Sequence, residues 1–162
     1  MAFNFPNGNF PKIINDDWML VAAGNTEKWN GMTASWGGVG SLWHKPVVFV
    51  FIRPQRYTFG FTEANDTFSL SFFSPGHHDI LVRAGSTSGR DTDKMKTLGL
   101  TASDKDGTVV FEEAKQTLIC RKLFATTLNE ADFLDKDVLK DCYPQKDFHT
   151  MYVAEVLDWI EK

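Results

Sequence analysis

The chain has 162 residues, with 17 Lys plus Arg against 21 Asp plus Glu and a formal net charge of −4. A chain of this length suits one domain that buries roughly 70% of its unfolded surface, so it needs neither a disulfide framework nor a metal staple. Cys120 and Cys142 form no CxxC pair, and no basic block interleaves with the 14 Phe, 5 Trp and 3 Tyr, which argues against a nucleic-acid groove.

The first dozen residues, MAFNFPNGNFPK, have no charged start followed by an apolar run, so they do not read as a signal peptide. No apolar stretch approaches the ~20 residues of a bilayer span, and a cytoplasmic location is expected. Residues 1–17 are expected to form an extended arm. Met19 to Ala23 reads as a short strand stopped by Gly24-Asn25. Trp29 to Gly38, WNGMTASWGG, reads as a short strand running into a glycine-rich loop, because glycines disfavour a helix there. Val47 to Ile52, VVFVFI, has the composition of a strand buried on both faces. Tyr57 to Ala64 fits two helical turns before Asn65-Asp66. Phe68 to Phe73 alternates Phe and Leu with Ser, as a strand with one wet face does.

Ser74-Pro75 reads as the cap and first position of a helix through Val82, closed by Gly85. A short helix is expected over Asp91 to Leu98, and strands over Val109 to Phe111 and Lys115 to Phe124. Asp132 to Cys142 places Phe133, Leu134, Val138 and Leu139 on one side of a helix. Met151 to Ile160 fits either period, and its β-branched and aromatic content favours a strand. Six or more strands with short helices between them point to a mainly β chain, 1–162, forming an antiparallel closed or partly closed barrel.

Four segments can carry chemistry. In WNGMTASWGG, glycines let a flat ligand approach the main chain, while amides and small hydroxyls can bond a heteroaromatic edge; the alternative is an ordinary loop with buried Trp. In IRPQRYT, Arg53, Arg56 and Thr58 end a buried strand and can hold an oxyanion, or form a solvated rim. In STSGRDTDK, Ser88, Arg90 and Lys94 lie where one helix gives way to the next and could take a phosphate, or Asp91 and Asp93 could simply cap. His149 precedes the last strand and could face a cofactor or be structural. His77-His78-Asp79 lacks further ligands and is read as helix surface, with no metal expected.

Together these segments resemble the flavin reductase-like family, its flavoredoxin branch above all, over about Trp18 to Val156. Asn-x-Met-Thr-Ala-Ser (Asn30 to Ser35) and Arg-Pro-Gln-Arg-Tyr-Thr (Arg53 to Thr58) are the most specific strings. The resemblance implies an FMN-binding split β-barrel of antiparallel, Greek-key type with short peripheral helices. It places Asn30, Met32, Thr33, Ala34, Ser35 and Trp36 along the isoalloxazine, largely through main-chain groups. Arg53, Gln55, Arg56 and Thr58 fall at the phosphate, with Ser88, Arg90 and Lys94 as helpers, and His149 near the flavin or a nicotinamide. Ala154 stands where many members have Gly, and its methyl is expected to narrow the pocket. The activity implied is NADH- or NADPH-dependent flavin reduction, with electrons passing to a free flavin, a partner protein or another acceptor. The alternatives are an FMN electron carrier without its own NAD(P)H site and, more remotely, an oxidase of the pyridoxamine-phosphate type. A homodimer with flavin near the subunit interface is also implied.

Overall fold

The computed structural model describes residues 8–162. The strands among them are β1 (Met19–Asn25), β2 (Lys28–Ala34), β3 (Gly37–Leu42), β4 (Lys45–Ile52), β5 (Thr67–Phe72), β6 (Ala102–Lys105), β7 (Thr108–Phe111), β8 (Gln116–Thr127) and β9 (Thr150–Glu161). The helices are α1 (Phe10–Lys12), α2 (Tyr57–Ala64), α3 (His78–Ser86), α4 (Lys94–Thr97) and α5 (Lys136–Cys142).

Seven strands form one antiparallel sheet in the order β2-β1-β5-β8-β9-β4-β3, and β6 and β7 make a separate hairpin. Consecutive strands β2 and β3 therefore stand at opposite edges of the large sheet. Only Ser35 and Trp36 join them, and three Cα–Cα steps of ~3.8 Å reach about 11 Å at most. Seven flat strands at a spacing of ~4.8 Å would be about 29 Å wide. The sheet must roll up until its edges come close, and no β2–β3 pairing closes the seam among the described residues. The outcome is the expected split barrel. Gly37 makes the sharp entry into β3 at φ 156°, where a Cβ would stand 2.6 Å from the Phe49 carbonyl oxygen.

Strand periodicity divides the core. Met19, Val21 and Ala23 of β1 point into the barrel with Met32 and Ala34 of β2, Val48, Val50 and Ile52 of β4, and Tyr152 of β9. The alternate residues Leu20 and Ala22 face outward and pack beneath Ile80, Leu81 and Ala84 of α3, Met95 and Leu98, and Val109 and Phe111 of β7. Successive strand residues point to opposite faces, so an all-apolar β1 serves both layers at once.

Apart from β3, the strands of the large sheet and α2 lie close to where the sequence puts them; the differences have local causes. Residues 10–17 are helical, with Ile14 buried, so an extended arm does not hold for them; the rest of the expected arm, residues 1–7, lies outside the described residues. Gly37 to Leu42 is a strand rather than a loop, because edge pairing with β4 outweighs its glycines. Ser69 and Ser71 are fully buried, since the β6–β7 hairpin covers that face and Val109 O accepts from the Ser69 hydroxyl at 2.7 Å. On β4 the reverse holds: Phe49 and Phe51, on its outer face, are only half-buried. Helix α3 is preceded by a 3-10 turn at Pro75–His77 and runs through Gly85 to Ser86. Only Lys94–Thr97 of the Asp91 to Leu98 segment is α-helical. Helix α5 starts at Lys136, because the Asp135 carboxylate caps Asp137 N at 2.9 Å, and Leu134 is left 97% exposed.

Candidate functional site

Two cavities meet at one arginine beside the open seam. The first, about 220 Å³, is lined by Met32 to Trp36, Phe51 of β4, Arg53, Arg56 and His149. Strand β2 pairs only with β1, so alternate main-chain groups along its free edge have no strand partner. The amides of Ser35 and Trp36, between the two edge strands, make no turn or loop hydrogen bond. Side chains contribute less: Met32 and Ala34 belong to the barrel core, and the Thr33 hydroxyl donates to Leu81 O of α3. Trp36 is half exposed, its ring 5.3 Å from that of His149. The cavity is thus aromatic on its sides and polar along one main-chain edge.

The second cavity, about 320 Å³, lies between the start of α2 and the loop after α3. Arg56, Thr58, Ser86, Thr87, Ser88, Arg90 and Lys94 are among its lining, and no carboxylate is. The Arg56 guanidinium has no hydrogen-bond or ion-pair partner among the described residues, while its main-chain N–H bonds back to Arg53 O at 3.0 Å. Its burial, and then the nearby Arg53, push its pKa below the ordinary arginine value. Lys94 is buried and donates to Ala84 O and Thr87 O, both at 2.7 Å, which ties the last turn of α3 to the loop. Burial, and then Arg56, push this ammonium down to about 8. Two crowded cations without a counter-charge carry a cost that a bound anion relieves. The amides of Ser88 and Gly89 make no turn or loop bond, and the Ser88 hydroxyl accepts from Arg90 N at 3.2 Å. Gly89 allows a close approach: a Cβ would sit 2.3 Å from Asn30 Nδ2 and 2.6 Å from the Tyr57 ring, so one of them would have to move.

The polar candidates around the second cavity separate into four groups. Arg56, Ser88 and Lys94 converge on the second cavity. Thr58 and Asn30 support it from below, the Thr58 hydroxyl donating to Asn30 Oδ1 at 2.7 Å with both residues buried. Arg90 forms its rim, donating to Gln55 O at 2.5 Å and lying over the Tyr57 ring. Gln55 also borders the second cavity and Arg53 the first, while their side chains bond to the Asp147 loop. The Arg53 guanidinium pairs with Asp147 and donates to Cys142 O at 3.0 Å, and Gln55 Nε2 donates to the same Asp147 oxygen at 2.8 Å. Arg53 in turn holds the Asp147 carboxyl below the usual carboxylate range.

His149 is 8% exposed and shares a 2.7 Å hydrogen bond with the Tyr143 hydroxyl through Nδ1. Burial, then Arg53, push the imidazole down to about 4, against an opposing pull from Asp147. It is neutral at pH 7. Ala154 does not narrow this cavity: it is fully buried in the barrel core opposite Val48. Sequence reasoning missed Phe51, Tyr143, Asp147 and Gly89. Of these only Gly89, beside Ser88 in a hydroxyl-rich turn, carried a local signal.

A rolled antiparallel sheet with an open seam, and beside it an aromatic cavity and a second, cationic one, defines a split-barrel protein. A sequence model described as a flavin reductase like domain matches residues 14–161, so the chain belongs to the flavin reductase-like family. A search of curated proteins by sequence found no match. Among solved structures, the chain is similar to an FMN-binding protein from Thermus thermophilus crystallised with 1-cyclohex-2-enone, at 24% identity and TM-score 0.71 over 99% of this chain and 80% of that one. It is also similar to flavoredoxin from Methanosarcina acetivorans, at 20% identity and TM-score 0.70 over 99% and 76%. A third is the NADH:FAD oxidoreductase SgcE6 of Streptomyces globisporus C-1027, at 18% identity and TM-score 0.68 over 90% and 74%.

Proposed function

We propose that this chain binds FMN as its cofactor and works as an oxidoreductase that takes electrons from NADH or NADPH. The observation that carries the reading is the sharing of Arg56 between an aromatic cavity and a carboxylate-free cationic one. A flat heteroaromatic ring with a phosphate at the end of a chain matches that pair of cavities, and the donor set fits it. Arg56 and Lys94, with the free amides of Ser88 and Gly89, take the phosphate; Arg90 closes the rim. Thr58 and Asn30 fix the floor, and the first N–H groups of α2 add a partial positive charge nearby. The free edge of Met32 to Trp36 bonds the polar rim of the ring, with Phe51 and Trp36 beside it. Arg53 and Gln55 hold the Asp147 loop, and Gln55 also borders the phosphate cavity.

When bound, FMN supplies the reversible two-electron chemistry, and the protein supplies position and electrostatics. Amide donors aimed at the ring edge favour charge that develops there on reduction. His149, neutral and buried, closes the far wall and keeps water from it.

The first test is the colour of the purified protein and the identity of the flavin released on denaturation; colourless, folded material that takes up no FMN in a calorimeter ends the reading. The second mixes oxidised holoprotein anaerobically with NADH or NADPH in a stopped-flow instrument. Rapid bleaching supports the reductase, and no bleaching with either donor assigns the chain to the electron carriers. Exposed Trp43 against Phe124 at 6.2 Å, with exposed Leu157, supports a second proposal, that two copies associate. Light scattering of the eluting protein tests it.

A further inference from the structure

The loop between α5 and β9 holds a group that the flavin reading does not use. Tyr143 is 6% exposed, and its hydroxyl makes a single hydrogen bond among the described residues, the one to His149 Nδ1. That phenol carries one proton and finds no other acceptor. Were Nδ1 the donor, the phenolic proton would be buried without a partner, at a cost comparable to a lost hydrogen bond. The Arg53 guanidinium lies 5.2 Å from the centre of the Tyr143 ring, and a cation over the ring makes the hydroxyl a better donor and a poorer acceptor. The opposite edge of the imidazole faces the aromatic cavity. His149 Nε2 has no partner among the described residues and is not among their buried unsatisfied polar atoms, so it opens into that cavity.

We infer that Tyr143 is a positioning residue that locks His149 in one tautomer, with Nδ1 bare and the Nε2 proton presented to the ligand cavity. The far wall of the cavity is then a fixed hydrogen-bond donor, and it selects for a carbonyl oxygen on whatever lies against it. Such an oxygen exists on a flavin ring edge and on a carboxamide, while an N–H presented there is rejected. The lock is itself held from behind: Arg53 grips Asp147 and the Cys142 carbonyl on either side of the turn that carries Tyr143. Tyr143, Phe148 and Phe133 pack against one another, Phe133 edge-on to Tyr143, and hold the ring plane. The charged and titratable groups bearing on His149 are Arg53, Arg56, Asp147 and Tyr143. Tyr143 stays protonated at neutral pH, since burial raises the phenol.

The ligand part of this inference rests on the flavin reading; the tautomer part does not, and the experiment separates them. Long-range proton–nitrogen correlation spectra of 15N-labelled protein near pH 7 distinguish a bare from a protonated ring nitrogen. The expected result for His149 is Nδ1 bare and Nε2 protonated, with and without FMN. A wild-type spectrum with Nδ1 protonated overturns the inference, and it needs no variant to do so. Tyr143→Phe keeps the ring and removes the hydroxyl, so His149 should become a mixture of tautomers and FMN affinity should fall about fivefold. A Tyr143→Phe protein that keeps the Nε2–H tautomer pure also overturns the inference. Should the tautomer be as expected in protein that binds no FMN, the lock stands and the flavin reading fails.

Discussion

Replacing Arg56 by Ala tests the site most sharply, because opposite signs are expected for binding and for stability. The Arg56 guanidinium has no partner among the described residues, so its removal breaks no hydrogen bond or ion pair among them. A charge-assisted hydrogen bond to phosphate contributes ~1.5–3 kcal/mol, and at 1.4 kcal/mol per decade this predicts about 10- to 150-fold weaker FMN binding. Riboflavin lacks the phosphate, and its affinity should change less than about threefold. In ligand-free protein the same change removes repulsion that Arg56 shares with Arg53 and Lys94. The unliganded variant should therefore melt at the wild-type temperature or above it. Isothermal titration with both flavins and a thermal scan of the ligand-free protein decide the matter. Equal losses for FMN and riboflavin would refute the phosphate role, and a lower melting temperature would refute the repulsion argument.

Four further outcomes follow from the same geometry. In Gly89→Ala a methyl would stand 2.3 Å from Asn30 Nδ2, so the loop or the Asn30 and Tyr57 side chains must shift and FMN binding should weaken about tenfold in titration, with riboflavin less affected. An anion beside Lys94 favours its charged form, so FMN binding between about pH 8 and 10 should take up protons; calorimetry in two buffers of different ionisation enthalpy reads this, and proton release would refute it. His149 is pushed down from 6.5 to about 4 in the fold, so its contribution is complete above pH 6.5 and is lost as pH falls from 6.5 towards 4. The loss amounts to about 3 kcal/mol at most, and denaturant titrations of His149→Gln should show a flatter acid limb. Trp36→Ala should shift the spectrum of bound FMN; an unchanged spectrum removes Trp36 from the ring cavity.

Much of the barrel was legible because strands write their own period. VVFVFI, TLIC and YVAEV carry the β-branched and aromatic content of pleated, buried surface. What misled was context supplied from afar. The serines of β5 look wet until the β6–β7 hairpin covers them, and the glycines of β3 look like a loop until β4 supplies a partner. In the site, Arg53 and Arg56 are indistinguishable as residues, three apart in one turn. What separates them is Asp147, 94 positions from Arg53, which pairs with one and leaves the other free. Leu134 and Val138 read as the apolar face of a helix, yet they stand exposed in this chain. Their periodicity carried no information about what covers them.

The placement of β2 and β3 at opposite margins of the sheet bears on the order of assembly. The hairpins β1–β2 and β3–β4 are local and can form early, whereas β4–β9 and β5–β8 join segments far apart in the chain and pay the larger loop-closure entropy. The cleft walled by Met32 to Trp36 on one side and by Phe51 and His149 on the other comes into being only when those distant partners have met. In a refolding mixture containing FMN, the extinction of flavin fluorescence should thus lag behind the gain of strand signal and time the last step of the barrel.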